Sequence, residues 1–254
     1  MNRAHTDRTL CRSVVAALAG LTLAGCASKP LMPYTTDSTP LVLAPAIEQV
    51  EQDRRGRFRE IFCGVLEARK DSIPDYRSCD EAITRVGSEP AGTGAAVNLG
   101  QAERPLTILF VPGVGWDCFS GWLAMEDTIP RHLQQYGHDL VTLDIGGLYS
   151  SEANARMIRD AVLERPQRGT QPDLVLVGYS KGAADVLQAI VSYPEIHHRV
   201  AAVVSAAGSV GGSPLANDTS EDTLKMLQHF PGATCKPGEQ SALNDLRPDT
   251  RKAW

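Results

Sequence analysis

Four short apolar runs alternate with amphipathic stretches through the second half of the chain: LTILFV (106–111), DLVTLD (139–144), DLVLV (173–177) and RVAAVVSA (199–206). Their apolar residues are mostly consecutive and β-branched, the pattern of a strand buried on both faces of a parallel sheet. Between the first two runs, Thr128 with Pro130 just inside predicts a helix start, and Gly137 its stop. In EANARMIRDAVLER, Met157, Ile158, Ala161 and Val162 fall on one helical face. After the third run, Ala183, Val186, Leu187 and Ile190 recur at i, i+3, i+4 and i+7. Strands separated by single helices predict an α/β class with right-handed crossovers.

Upstream the pattern changes. Ile47, Val50, Phe58, Ile61, Phe62 and Val65 have near-helical spacing, weakened in the middle by Gly56, and DYRSCDEAITRVG reads as a second helix ended by Gly87. Together they predict a helical hairpin over 47–90. A turn-rich connector follows over 91–104, and the main domain runs over 105–254. The segment 26–46 is rich in Pro, Ser and Thr, which suits an extended tether.

The first 25 residues change the picture most. Arg3, Arg8 and Arg12 precede the apolar run VVAALAGLTLAG, which is too short to span a bilayer and fits a secretory signal. Its end, LAGC (Leu23 to Cys26), resembles the lipobox of bacterial lipoproteins. That resemblance implies cleavage after residue 25 and diacylglyceryl attachment at Cys26. With Ala27 next, it also implies an outer-membrane anchor facing the periplasm. Removing residues 1–25, which carry three Arg and one Asp, takes the net charge from −5 to −7. With no basic run, nucleic acid is not an expected partner.

Of six cysteines, Cys11 leaves with the signal and Cys26 is the lipid site. Cys63, Cys79, Cys118 and Cys235 remain, an even number in an exported chain, without a CxxC pair or a zinc-like histidine spacing. Two disulfides are expected, with Cys63–Cys79 and Cys118–Cys235 favoured among three pairings. No metal and no cofactor are expected.

The candidate chemistry lies in GYSKG (178–182), which closes the third strand and opens an amphipathic helix. A serine on so sharp a turn needs tiny neighbours two residues away on each side. Its hydroxyl would stand at the carboxyl edge of the sheet, beside first-turn amides that favour negative charge. Ser180 is therefore read as a nucleophile.

Residues 105–218 resemble the serine α/β-hydrolase family, particularly bacterial lipases and esterases. FVPGVG (110–115) stands where such enzymes carry the oxyanion loop, LDIGGLYS (143–150) resembles the loop after their fourth strand, and GSVGGSPLAND (208–218) the loop after their sixth. The resemblance implies an α/β-hydrolase-type parallel sheet, here incomplete and lacking its last strands. It also implies oxyanion donation by the backbone N–H groups of Val114 and Lys181. Pro112 replaces the family's usual histidine and has no N–H to give. The Lys181 side chain is expected in solvent. Trp116, Phe119 and Trp122 fit either an acyl-binding wall or the core.

A serine hydroxyl needs a base, oriented in turn by an acid. In this family both follow the serine in the chain. His229, in an expected lid helix with Leu224 and Leu227 inward, is the candidate base, and Asp218 the candidate acid. His197 and His198 should lie on the surface at the opposite edge of the sheet, while His132 and His138 fit no chain order of the family. The end at Trp254 leads to the expectation that the gene product continues with further strands carrying the acid and histidine. The resulting expectation is an envelope-anchored hydrolase of carboxylic esters, small-molecule or acyl-lipid. The alternative is a non-catalytic lipoprotein that uses the fold for binding, or an N-terminal hairpin that recruits a partner.

Overall fold

The computed structural model describes residues 52–85, 89–97, 100–119, 128–220, 222, 229, 231–236 and 241–254. The signal, the tether, Ile47 and Val50, Trp122 and the segment around Leu224 and Leu227 lie outside them. Two compact units divide the chain, Met1–Asn98 and Leu99–Trp254.

In the first unit, α1 spans Arg55–Ala68, and α2 is a single turn, Cys79–Ala82. The expected second helix is thus much shorter than its sequence pattern suggested. Ser78 opens it with a capping box closed by Glu81, and Ile83 is already extended. The Cys63–Cys79 disulfide joins α1 to this turn. Gly56 is not mid-helix but sits in the first turn, where a Cβ would lie 2.1 Å from the Pro90 carbonyl oxygen. The glycine lets the 90–91 backbone cross the helix. Glu60 holds the following loop, accepting from the Thr93 N–H at 2.8 Å, the Gly94 N–H at 2.5 Å and Arg57 at 3.0 Å. These bonds, the Gly94 one foremost, bring its carboxyl down to about 2. Arg59 and Glu89 form a bidentate pair with little exposure of either side chain.

The second unit is built on four parallel strands: β1 (Thr107–Val111), β2 (Asp139–Thr142), β3 (Leu174–Tyr179) and β4 (Val200–Ala206), in the order β2-β1-β3-β4. The register pairs Thr107 with both Asp139 and Leu174, and Tyr179 with Ala206. The connecting helices are α3 (Trp116–Phe119), α4 (Thr128–Gln134), α5 (Ser151–Leu163) and α6 (Lys181–Ser192). Ser150 caps α5 by accepting from the Ala153 N–H. Gly137, at φ +87°, ends the α4 region as expected.

Leu109, Val111, Leu174 and Leu176 from the inner strands meet Ile158 and Val162 of α5 and Val186 of α6 in the main core. Each such side chain contributes about 1.5–3 kcal/mol by leaving water. β4 is an edge strand, with Ala201 to Ser205 exposed. Beyond it come three short helices, α7 (Leu215–Asp218), α8 (Ala242–Leu246) and α9 (Pro248–Lys252). A second core of Cys118, Leu148, Ala216, Leu243 and Leu246 forms among these loops. No described helix is long and apolar enough to cross a membrane.

Candidate active site

The chain turns from β3 into α6 at Ser180, whose φ is +54° and ψ −120°. Only one other described non-glycine residue, Ala207, has positive φ. The flanking glycines are required by space. A Cβ on Gly178 would lie 2.5 Å from the Ala183 Cα, and one on Gly182 would lie 2.1 Å from the Val111 carbonyl oxygen. Neighbouring backbone holds the turn: Ser180 N–H donates to Ala206 O at 3.1 Å, and Ser180 O accepts from the Ser209 N–H at 3.0 Å.

The loop after β1 runs directly against this serine. A Cβ on Gly113 would come within 2.9 Å of the Ser180 Cβ and 3.4 Å of its Oγ. Gly115 sits at φ +69° and donates its N–H to Gly147 O at 3.2 Å. Among the described residues no hydrogen bond engages the Val114 N–H. The Lys181 N–H stands in the first turn of α6, where amides have no intrahelical acceptor. Both candidate donors thus remain available beside the serine.

Asp117 fastens the loop from outside. Its carboxylate accepts from the Gly147 N–H at 2.9 Å and the Lys236 N–H at 2.8 Å. The Cys118–Cys235 disulfide lies next to it, and the Thr234 N–H donates to Cys118 O at 2.9 Å. The Asp117 role carried no signal in the sequence, since its partners are backbone groups distant along the chain.

The Lys181 side chain corrects the sequence expectation. It is not solvated but 1% exposed. Its Nζ donates to Asp185 at 2.6 and 2.9 Å, and Asp185 is equally buried. This aims the ammonium along the helix, so it is committed to Asp185 rather than to the serine hydroxyl. Asn154 of α5, also fully buried, donates from Nδ2 to Asp185 at 2.8 Å and to Gly146 O at 2.9 Å. The guanidinium of Arg251, on α9, lies close enough to feel both Asp185 and Asp245, while its own burial lowers its proton affinity. Asp185 and Asn154 were missed from the sequence; the i, i+4 spacing of Lys181 and Asp185 was the one available sign.

Asp218 ends α7 and is exposed, and His229 is an exposed turn residue. Among the described residues no histidine is hydrogen-bonded to Ser180 Oγ. His197 and His198 lie exposed in the 3-10 turn Pro194–Arg199 that leads into the start of β4. His138 Nδ1 accepts from the Leu106 N–H at 3.3 Å, and His132 packs edge-on to Tyr136. Trp116 meets Phe110 edge-on, and Phe110 stacks on Tyr179, so an aromatic line leads up to the serine. The described residues hold no group of three or more His, Cys, Asp or Glu suited to a metal.

No family model matches the chain. No curated protein matches it by sequence either. Among solved structures it is similar to a carboxyl esterase of metagenomic origin, at 37% identity and a TM-score of 0.71, over 86% of this chain and 65% of that one. A Bacillus licheniformis lipase in its mature form is similar at 22% identity and a TM-score of 0.47, over 60% of this chain and 59% of that one. The chain thus spans less than two thirds of the length of either. The sequence and sheet shared with the esterase support the α/β-hydrolase superfamily as the source of this fold.

Proposed function

We propose that the protein hydrolyses carboxylic esters through Ser180 and works anchored in the bacterial envelope by a lipid on Cys26. The observation that carries this reading is the serine at φ +54° between strand and helix, with the Gly113 backbone against it and two unengaged amides alongside. The likeness to a carboxyl esterase supports it.

In this scheme Ser180 Oγ attacks the ester carbonyl carbon and gives its proton to a base. The carbonyl oxygen, now an anion, receives the Val114 and Lys181 N–H groups. Each such donor, aimed at the developing charge, is worth roughly 10²–10³ in turnover. The alcohol departs with the proton held by the base, leaving an acyl-serine. Water then attacks that ester, and the acid product leaves as Ser180 regains its proton. His229 is the nominated base and Asp218 the nominated acid. The aromatic line of Trp116, Phe110 and Tyr179 would receive an apolar acyl chain, so acyl-lipids fall within the proposed substrates.

A fluorophosphonate probe tests the reading. Wild-type protein should be labelled, and Ser180→Ala should not. Folded wild-type protein that resists the probe would overturn it and leave the fold serving in binding alone.

A further inference from the structure

An oxyanion hole works only if its two donors keep a fixed separation, and a buried polar path joins them here. It starts at Lys181, whose amide is one donor, and passes from Nζ to Asp185 at 2.6 Å. Asn154 Nδ2 bridges from Asp185, at 2.8 Å, to Gly146 O, at 2.9 Å. The next residue, Gly147, accepts the Gly115 N–H at 3.2 Å. Gly115 directly follows Val114, the other donor. The three side chains on this path are each 1% exposed or less.

We propose that Asn154 is a positioning residue that sets the spacing between the two halves of the oxyanion hole. The inference rests on the reading of Ser180 as nucleophile. While the Asn154 Oδ1 is buried with no hydrogen-bond partner among the described residues, the amide nitrogen of asparagine suits this position. Both of its partners are pure acceptors, a carboxylate and a backbone carbonyl, so the two protons of one amide nitrogen satisfy both at once. Aspartate would set a second carboxylate against Asp185, and leucine would remove the donor the two acceptors share, leaving Asp185 with Lys181 alone and Gly146 O with the Tyr149 N–H alone. The Lys181–Asp185 pair argues the same way. Buried ion pairs add little net stability over well-packed apolar residues of the same volume. What this pair supplies is direction: it lies within α6 and holds the Asp185 carboxylate where Asn154 of α5 reaches it.

Two variants of the full chain test this: Asn154→Leu, and the uncharged pair Lys181→Met with Asp185→Leu. Turnover of p-nitrophenyl esters and amide hydrogen exchange over 112–116 and 180–183 are both measured. The proposal expects kcat to fall about 10- to 100-fold, with KM within about two-fold, as for displaced oxyanion donors. It also expects both segments to exchange faster together, in a protein that keeps its unfolding midpoint in the uncharged pair. Wild-type exchange at both segments in either folded variant would overturn it, whatever the activity. So would a kcat loss that only follows the loss of folded protein. Turnover that survives Ser180→Ala would sink the serine reading instead, while the exchange result still decides whether Asn154 ties the two loops.

Discussion

Ser180 occupies backbone space that costs a non-glycine residue about 1–3 kcal/mol. Neighbours impose it: Ala206 O and the Ser209 N–H grip the turn, and Val111 O packs against Gly182. Glycine at 180 would be free of that strain and would lose only about 0.4–1 kcal/mol through a looser unfolded chain. Ser180→Gly should therefore be more stable than Ser180→Ala by about 1 kcal/mol. That is a melting temperature about 2–4 °C higher, measurable by calorimetry. The strained serine was legible in the sequence because GYSKG carries its own steric argument. Lys181 was not. Lysine is almost never fully buried unless paired, and the partners that secure it, Asp185 and through it Asn154, come together only once α5 packs on α6.

The apolar runs that form the strands could be read for the same physical reason throughout: β-branched residues in short blocks leave few alternatives to a buried sheet. β4 has the same composition yet stands exposed, because burial depends on what covers a strand rather than on its own residues. The second arm of the N-terminal hairpin shrank to one turn, where Ile83 turns extended and helical spacing no longer decides. Glu60 gives this unit a testable pH dependence. Its carboxyl is held near 2, below the ordinary 4.5, so it contributes stability above about pH 4.5. That contribution declines as pH falls below 4.5 and is gone once pH passes below about 2. In Glu60→Gln this part of the dependence should vanish, which amide exchange across α1 between pH 5 and 2 would show. A Glu60→Gln profile parallel to wild type would refute the assignment.

Across the whole molecule, the two units carry different candidate features. The second carries the candidate chemistry, and the first includes Cys26, the proposed lipid site. Anchoring through that cysteine predicts that cells fed labelled palmitate will mark the wild-type protein and pellet it with membranes. Cys26→Ser should be unlabelled and released, and a labelled Cys26→Ser protein would refute the anchor. The two disulfides also differ in the distance they close, 16 residues for Cys63–Cys79 and 117 for Cys118–Cys235. In an exported chain both bonds form in the oxidising envelope, and there the near pair closes the shorter loop and meets more readily than Cys118 and its partner. Until then the Cys118 thiol shares the chain with those of Cys63 and Cys79. Early closure of the near pair would therefore remove the two competitors that could trap Cys118 in a wrong crosslink.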